Sequence, residues 1–165
     1  MSTRTREIFD AIHRAQASGR QVLALSRADA EQLPLIEGVA MISITAPERA
    51  PAQLPEYPFL LRMSFADVDF LSTDLSERAK AKLPDAMTKR QATAILDFSK
   101  SLPDSVRTLL VHCEGGLSRS CGVAAALGEI FKFDVEERRL GDANPSVKKL
   151  LLQEAKGYEL GRRGR

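Results

Sequence analysis

This sequence has no tryptophan, two tyrosines and only 5% aromatic residues in all. Few flat faces are left for bases to stack on, which argues against a nucleic-acid-binding module. Its two cysteines, Cys113 and Cys121, are too few and too close together for a disulfide framework, so a reducing, cytoplasmic setting is expected. No apolar run approaches the roughly 20 residues that span a bilayer. The polar opening Met1-Ser2-Thr3-Arg4-Thr5-Arg6 leads into an amphipathic stretch, unlike a secretory signal. Internal repeats and low-complexity segments are missing too. So is a dominant charge: the net is +2, and Lys156, Arg162, Arg163 and Arg165 against Glu159 near the end more than account for it. With no basic face through the domain, neither nucleic acid nor a membrane is an expected partner. No metal and no organic cofactor is expected either. Residues from about 158 to 165 are expected to form a frayed basic tail.

What is present is a chain of 165 residues in which short apolar runs alternate with amphipathic stretches. That length favours one domain, here 1–165, with room for a sizeable core. Ile8, Ala11, Ile12 and Ala15 share one face of a helix expected over about 5–17, with Gly19 as its stop. Strands are expected at 21–25, 39–45, 59–65 and 109–112. Ser26 can cap a helical turn to about Gln32, with Asp29 near its positive end. Residues 46–58 hold four prolines and read as an irregular connection. Residues 70–85 are mixed and polar, with helical character near 76–82, and suit either a lid or a plain surface insertion. Thr88-Lys89-Arg90-Gln91 fits a capping box opening a helix that Pro103 closes. A further helix follows at 121–131. Asn144-Pro145-Ser146 starts the last one, which is expected to end near Lys156. Strands alternating with helices predict an α/β fold: a mostly parallel, twisted sheet of about four to five strands with helices on both faces. Ligands of such sheets bind beyond the strands' carboxyl ends. Cys113 and the pair Asp67 and Asp69 all follow strand ends, and so belong on one edge.

The stretch that organises the chain is His112-Cys113-Glu114-Gly115-Gly116-Leu117-Ser118-Arg119-Ser120, between an apolar strand and a helix rich in small residues. Such a strand–loop–helix turn can aim several backbone N–H groups into one small space, as a tetrahedral oxyanion requires. Five residues separate Cys113 from Arg119. That spacing lets a thiolate sit at the bottom of a curled loop while a guanidinium closes its side and grips two phosphate oxygens in a fork. Positive surroundings and the helix amino terminus are expected to depress the cysteine pKa below its free value of about 8.5. Gly115 and Gly116 are expected to permit close backbone approach. Ser120 can donate to the thiolate, and His112 is placed to brace the loop rather than to attack.

His112, Cys113, Gly116, Arg119 and Ser120 fill a His-Cys-x-x-Gly-x-x-Arg-Ser pattern that resembles the cysteine-based protein tyrosine phosphatases. The flanks look most like the dual-specificity branch, in particular its small bacterial and phage members. The resemblance implies a phosphate-binding loop of Glu114, Gly115, Gly116, Leu117, Ser118 and Arg119. It also implies two-step hydrolysis in which Cys113 forms a thiophosphate ester that water then cleaves. An aspartate on a separate loop would protonate the leaving oxygen and then deprotonate the water. Asp67 takes first place because it follows a strand and an aromatic residue as in the resembling members. Asp69 stands second, as a catalytic alternative or supporting residue, and Asp74 and Asp85 follow. The implied substrate is a phosphorylated protein, phosphotyrosine first and phosphoserine or phosphothreonine as further possibilities, or a small phosphomonoester. An RNA 5′ end or an inositol lipid fits the same machinery, although Glu114 and Leu117 stand where lipid-phosphatase loops resemble one another in carrying lysines. Rival chemistries are sulfur transfer of rhodanese type, arsenate reduction with Cys121 as resolving thiol, and phosphate binding without turnover.

Overall fold

In a computed structural model the described residues are 1–14 and 19–163, with side chains described up to residue 157. Four strands, β1 (Gln21–Ser26), β2 (Val39–Thr45), β3 (Leu60–Ser64) and β4 (Thr108–Cys113), form one sheet in the order β1-β4-β2-β3. All three pairings are parallel. The helices are α1 (Thr3–Arg14), α2 (Arg27–Gln32), α3 (Glu77–Lys80), α4 (Lys89–Ser101), α5 (Arg119–Phe131) and α6 (Pro145–Arg163). Two short 3₁₀ turns lie at Leu83–Asp85 and Glu137–Arg139.

The strands are apolar on both sides because both sides are covered, and their pleat sorts the core into two layers. Val22, Ala24, Ala40, Ile42, Ile44, Leu109 and Val111 pack with Ile95, Leu127 and Leu151 of α4, α5 and α6. Leu23, Leu25, Val39, Met41 and Leu110 face the other way, onto Ile8 and Ile12 of α1 and Ala30 of α2. Every residue of β4 is buried. The same alternation sends neighbouring residues apart at the strand's end. Cys113 joins the layer of α4, α5 and α6, while His112 meets Ser43, its partner across the β4–β2 pairing.

Local signals account for most of the boundaries. Ser26 caps α2 by accepting from the Asp29 N–H, and Thr88 and Gln91 close a reciprocal capping box on α4. The expected part of α1 at Ala15 to Ala17 lies outside the described residues. α6 departs from expectation: it runs to Arg163 rather than ending near Lys156, so much of the tail expected to fray is helical, and residues 164–165 lie outside the described ones. Good helix formers (Glu159, Leu160, Arg162, Arg163) offset Gly157 and Gly161, each of which costs about 1 kcal/mol against alanine. The polar 70–85 stretch holds only α3 and one 3₁₀ turn. No described helix is long and apolar enough to cross a membrane.

Candidate active site

β4 delivers Cys113 to the carboxyl edge of the sheet, opposite Ser26 of β1. The chain then turns through Glu114, Gly115, Gly116, Leu117 and Ser118 into α5. The turn is tight because Gly116 takes φ +75° and lies against the end of β1. A Cβ at Gly116 would stand 2.5 Å from the Ser26 nitrogen and 2.6 Å from the Leu25 carbonyl carbon, so only glycine fits. The close approach expected of both glycines is confined to this one. Nothing lies within 4 Å of a Cβ added at Gly115.

Curled in this way, the loop aims the Gly116 N–H at the Cys113 sulfur, 3.2 Å away, and Ser120 Oγ approaches the same sulfur at 3.2 Å. Cys113 is 2% exposed. Beneath it, the His112 ring spans from the Cys113 carbonyl (Nδ1, 3.3 Å) to Ser43 Oγ (Nε2, 2.6 Å). A carbonyl can only accept, so Nδ1 carries the proton and Nε2 accepts from the serine, an assignment made from the network. Burial lowers the His112 pKa, which keeps the ring neutral in this tautomer. The Glu114 carboxylate turns away from the loop's interior to Arg27 (3.3 Å), while its carbonyl accepts from the Arg27 N–H at 3.2 Å. Arg27 also donates to the carbonyls of Ala50 and Pro51, fastening the loop to the proline-rich connection. Leu117 is exposed.

Two features leave charge-binding capacity open. Ser118 is the N-cap residue of α5, but its side chain makes no cap hydrogen bond and donates to Asp67 Oδ1 at 2.8 Å. The helix start therefore keeps N–H groups that its own serine does not satisfy. Arg119 is buried at 6% exposure, donates through Nη1 to the Phe65 carbonyl at 2.8 Å, and holds Nε without any partner. A buried guanidinium N–H left open is costly unless something occupies it. Arg119 lines a cavity of about 170 Å³ with Asp67, Asp85, Lys82, Glu48 and neighbouring small residues.

The expected aspartates separate. Asp67 reaches the Arg119 cavity, and its Oδ1 accepts from both Ser118 Oγ and Asn144 Nδ2. Asp69 hydrogen-bonds Ser146 at the start of α6 instead. Asp85 also lines the cavity and is exposed; its carbonyl accepts from the Ala66 N–H at 2.7 Å. Cys121 does not stand apart from the loop. Burial first, and then neighbouring Cys113, push its thiol up to about 11. It contacts the Gly116 and Arg139 carbonyls as a neutral donor. Both cysteines are free. Among the described residues no group of three or more His, Cys, Asp or Glu is arranged to hold a metal ion.

Sequence reasoning missed Arg27, Ser43 and Lys82, and gave Asn144 no part beyond starting the last helix. Nothing local marks the first three as site residues. They arrive through sheet register and loop packing.

A parallel α/β sheet, layered on both faces and carrying a cysteine–arginine loop at its carboxyl edge, defines the class: a single-domain fold of the tyrosine-phosphatase type. The particular likeness is to the crystal structure of PTPMT1, with a TM-score of 0.51 and 18% identity over 88% of this chain and 96% of that one. A second crystal structure, of PTPMT1 in complex with PI(5)P, aligns with a TM-score of 0.49 and 17% identity over 88% of this chain and 95% of that one. No family model matches the chain, and no curated protein matches it. At this identity the likeness is one of fold.

Proposed function

We propose that the protein is a cysteine-dependent phosphomonoesterase of the tyrosine phosphatase superfamily, acting on phosphotyrosine in proteins with the dual-specificity branch as its nearest type. One observation carries the reading. A buried cysteine sits under a glycine-bent loop with a backbone N–H directed at its sulfur, and the buried arginine at the loop's end keeps an unpaired Nε and lines a cavity together with the Asp67 segment. The fold likeness to PTPMT1 is in keeping with it.

The chemistry follows from these groups. The Cys113 sulfur attacks phosphorus as a thiolate, the S–P bond forms and the P–O bond breaks, and the leaving oxygen takes a proton from Asp67. Arg119 and the loop N–H groups hold the three remaining phosphoryl oxygens. Water then attacks phosphorus and gives its proton to Asp67, the S–P bond breaks, and Cys113 leaves as thiolate with Ser120 donating to it. His112, neutral and held at both nitrogens, fixes the direction of the Cys113 carbonyl and takes no proton itself.

A polyanionic headgroup is the less favoured substrate. The loop's outward side chains are an ion-paired Glu114 and an exposed Leu117. Glu48 and Asp85 set carboxylates on the cavity wall against the one added cation, Lys82. A second phosphate would meet like charge there. The test is a turnover panel of phosphotyrosyl, phosphoseryl and phosphothreonyl peptides, phosphoinositides and a 5′-phosphorylated RNA, with Cys113→Ser as control. Fastest turnover on phosphotyrosyl peptides, lost in the variant, is the expected result. Preference for the lipid or the RNA would reassign the substrate, and unchanged turnover by Cys113→Ser would remove the mechanism.

A further inference from the structure

Asn144 looks at first like a helix cap. Its Oδ1 accepts from the N–H groups of Ser146 (3.0 Å) and Val147 (3.1 Å), which opens α6. Capping uses only that oxygen, and serine or aspartate would cap as well. The amide nitrogen is left over, and both of its hydrogens are committed. Nδ2 donates to Asp67 Oδ1 at 2.9 Å and to the Val68 carbonyl at 3.1 Å. The backbone N–H of the same residue donates to the Ser118 carbonyl at 3.0 Å, the last position of the cysteine loop. Four side-chain hydrogen bonds saturate the carboxamide, at 4% exposure. One residue thus joins the cysteine loop, the aspartate segment and α6.

We propose that Asn144 is the positioning residue for Asp67, holding the carboxyl so that Oδ2 carries the proton delivered to the leaving group. The proposal rests on the phosphatase reading above. Two donors, Asn144 Nδ2 and Ser118 Oγ, converge on Oδ1. An oxygen receiving two hydrogen bonds is fixed as an acceptor, so a proton on the carboxyl sits on the other one. One of these donors comes from the cysteine loop itself, and Arg119 ties the adjoining Phe65 carbonyl to that loop as well. The acid is therefore referenced to the nucleophile's own loop. Misplacement of such a group by about 1 Å is enough to cost on the order of 100-fold.

The experiment is Asn144→Ser, which keeps a capping oxygen and removes the carboxamide donors. Turnover is measured on two aryl phosphates, one with a nitrophenol leaving group and one with phenol, alongside the melting temperature and the pH–rate profile. The account expects a fall of about tenfold or more on phenyl phosphate, under about threefold on the nitrophenyl ester, and a shifted acid-dependent limb. A double variant with Asp67→Asn should be no slower on phenyl phosphate than Asp67→Asn alone, since both changes remove the same function. Asn144→Asp, whose carboxylate also caps, provides a second variant should Asn144→Ser fail to fold, and the same split is expected of it. Equal losses on both esters, or no loss in a folded variant, would overturn the positioning role. A wild-type protein that turns over neither ester would overturn the phosphatase reading itself, and is recognised before any variant is compared.

Discussion

Cys113 ends a strand whose six residues are all buried, whereas Asp67 stands three residues beyond β3, an edge strand whose residues are half-buried or exposed. The cysteine loop is held by backbone: a strand before it, a helix after it, and Gly116 pressed onto the end of β1. The aspartate segment has no flanking helix; Phe65 and Val68 anchor its backbone in the core, but the Asp67 carboxylate itself is held by polar contacts from elsewhere, namely Ser118 and Asn144. Close-packed backbone resists small changes and fails steeply when filled. A side-chain network loses its members one at a time, and its loss appears as misdirection more than unfolding. Cys113, the proposed nucleophile, should therefore be sensitive through stability, and Asp67, the proposed acid, through rate.

The largest effect is expected at Gly116. Gly116→Ala must both hold φ +75° and displace the Ser26 backbone, so a loss of about 3 kcal/mol or more is predicted by denaturant unfolding. Gly115→Ala, with open space around its Cβ, should change stability by less than about 0.5 kcal/mol. Equal costs at the two glycines would break the contrast at once. Next, Asp67→Asn should slow phenyl phosphate hydrolysis by about 100-fold with a melting temperature close to wild type; a larger loss with Asp69→Asn or Asp85→Asn would move the acid. Smaller again, Arg27→Ala removes the brace between Glu114 and the 50–51 carbonyls. It should cost about 1–2 kcal/mol, readable by thermal unfolding.

The smallest effect is a pH dependence from His112. Its folded pKa is lowered by burial, so the neutral ring favours the folded state. That contribution is complete above the unfolded value of about 6.5 and is lost as pH falls from there toward the folded value. Asp29 adds a separate window at lower pH. Burial opposes its charge, but hydrogen bonds from Ser2, Thr5 and Ser26 outweigh it and lower its pKa, so its share is lost as pH falls below about 4. Denaturant curves between pH 7 and 5 should weaken for wild type and flatten for His112→Gln.

The same contrast explains what could be read from the sequence. β2 at 39–45, the Ser26 and Thr88 caps and the Cys113–Arg119 loop are written in adjacent residues, and the structure places each of them as expected. The parallel sheet with two covered faces follows from apolar strands alternating with amphipathic helices, and it forms with four strands. Asp67 could be ranked from its strand end and preceding aromatic, but its two donors lie 51 and 77 residues away. Ser43 meets His112 only through strand register. α6 runs past the end expected near Lys156, since Gly157 lowers helix propensity without stopping the helix.

The most direct measurement is rapid-quench mass analysis of the protein during turnover of an aryl phosphate, with peptide mapping of any phosphoryl group. The account predicts a transient phosphoryl group on Cys113, absent from Cys113→Ser and longer-lived when Asp67→Asn slows its hydrolysis. Steady turnover by the wild-type protein with no phosphorylated Cys113 at any quench time, and undiminished turnover by Cys113→Ser, would contradict it.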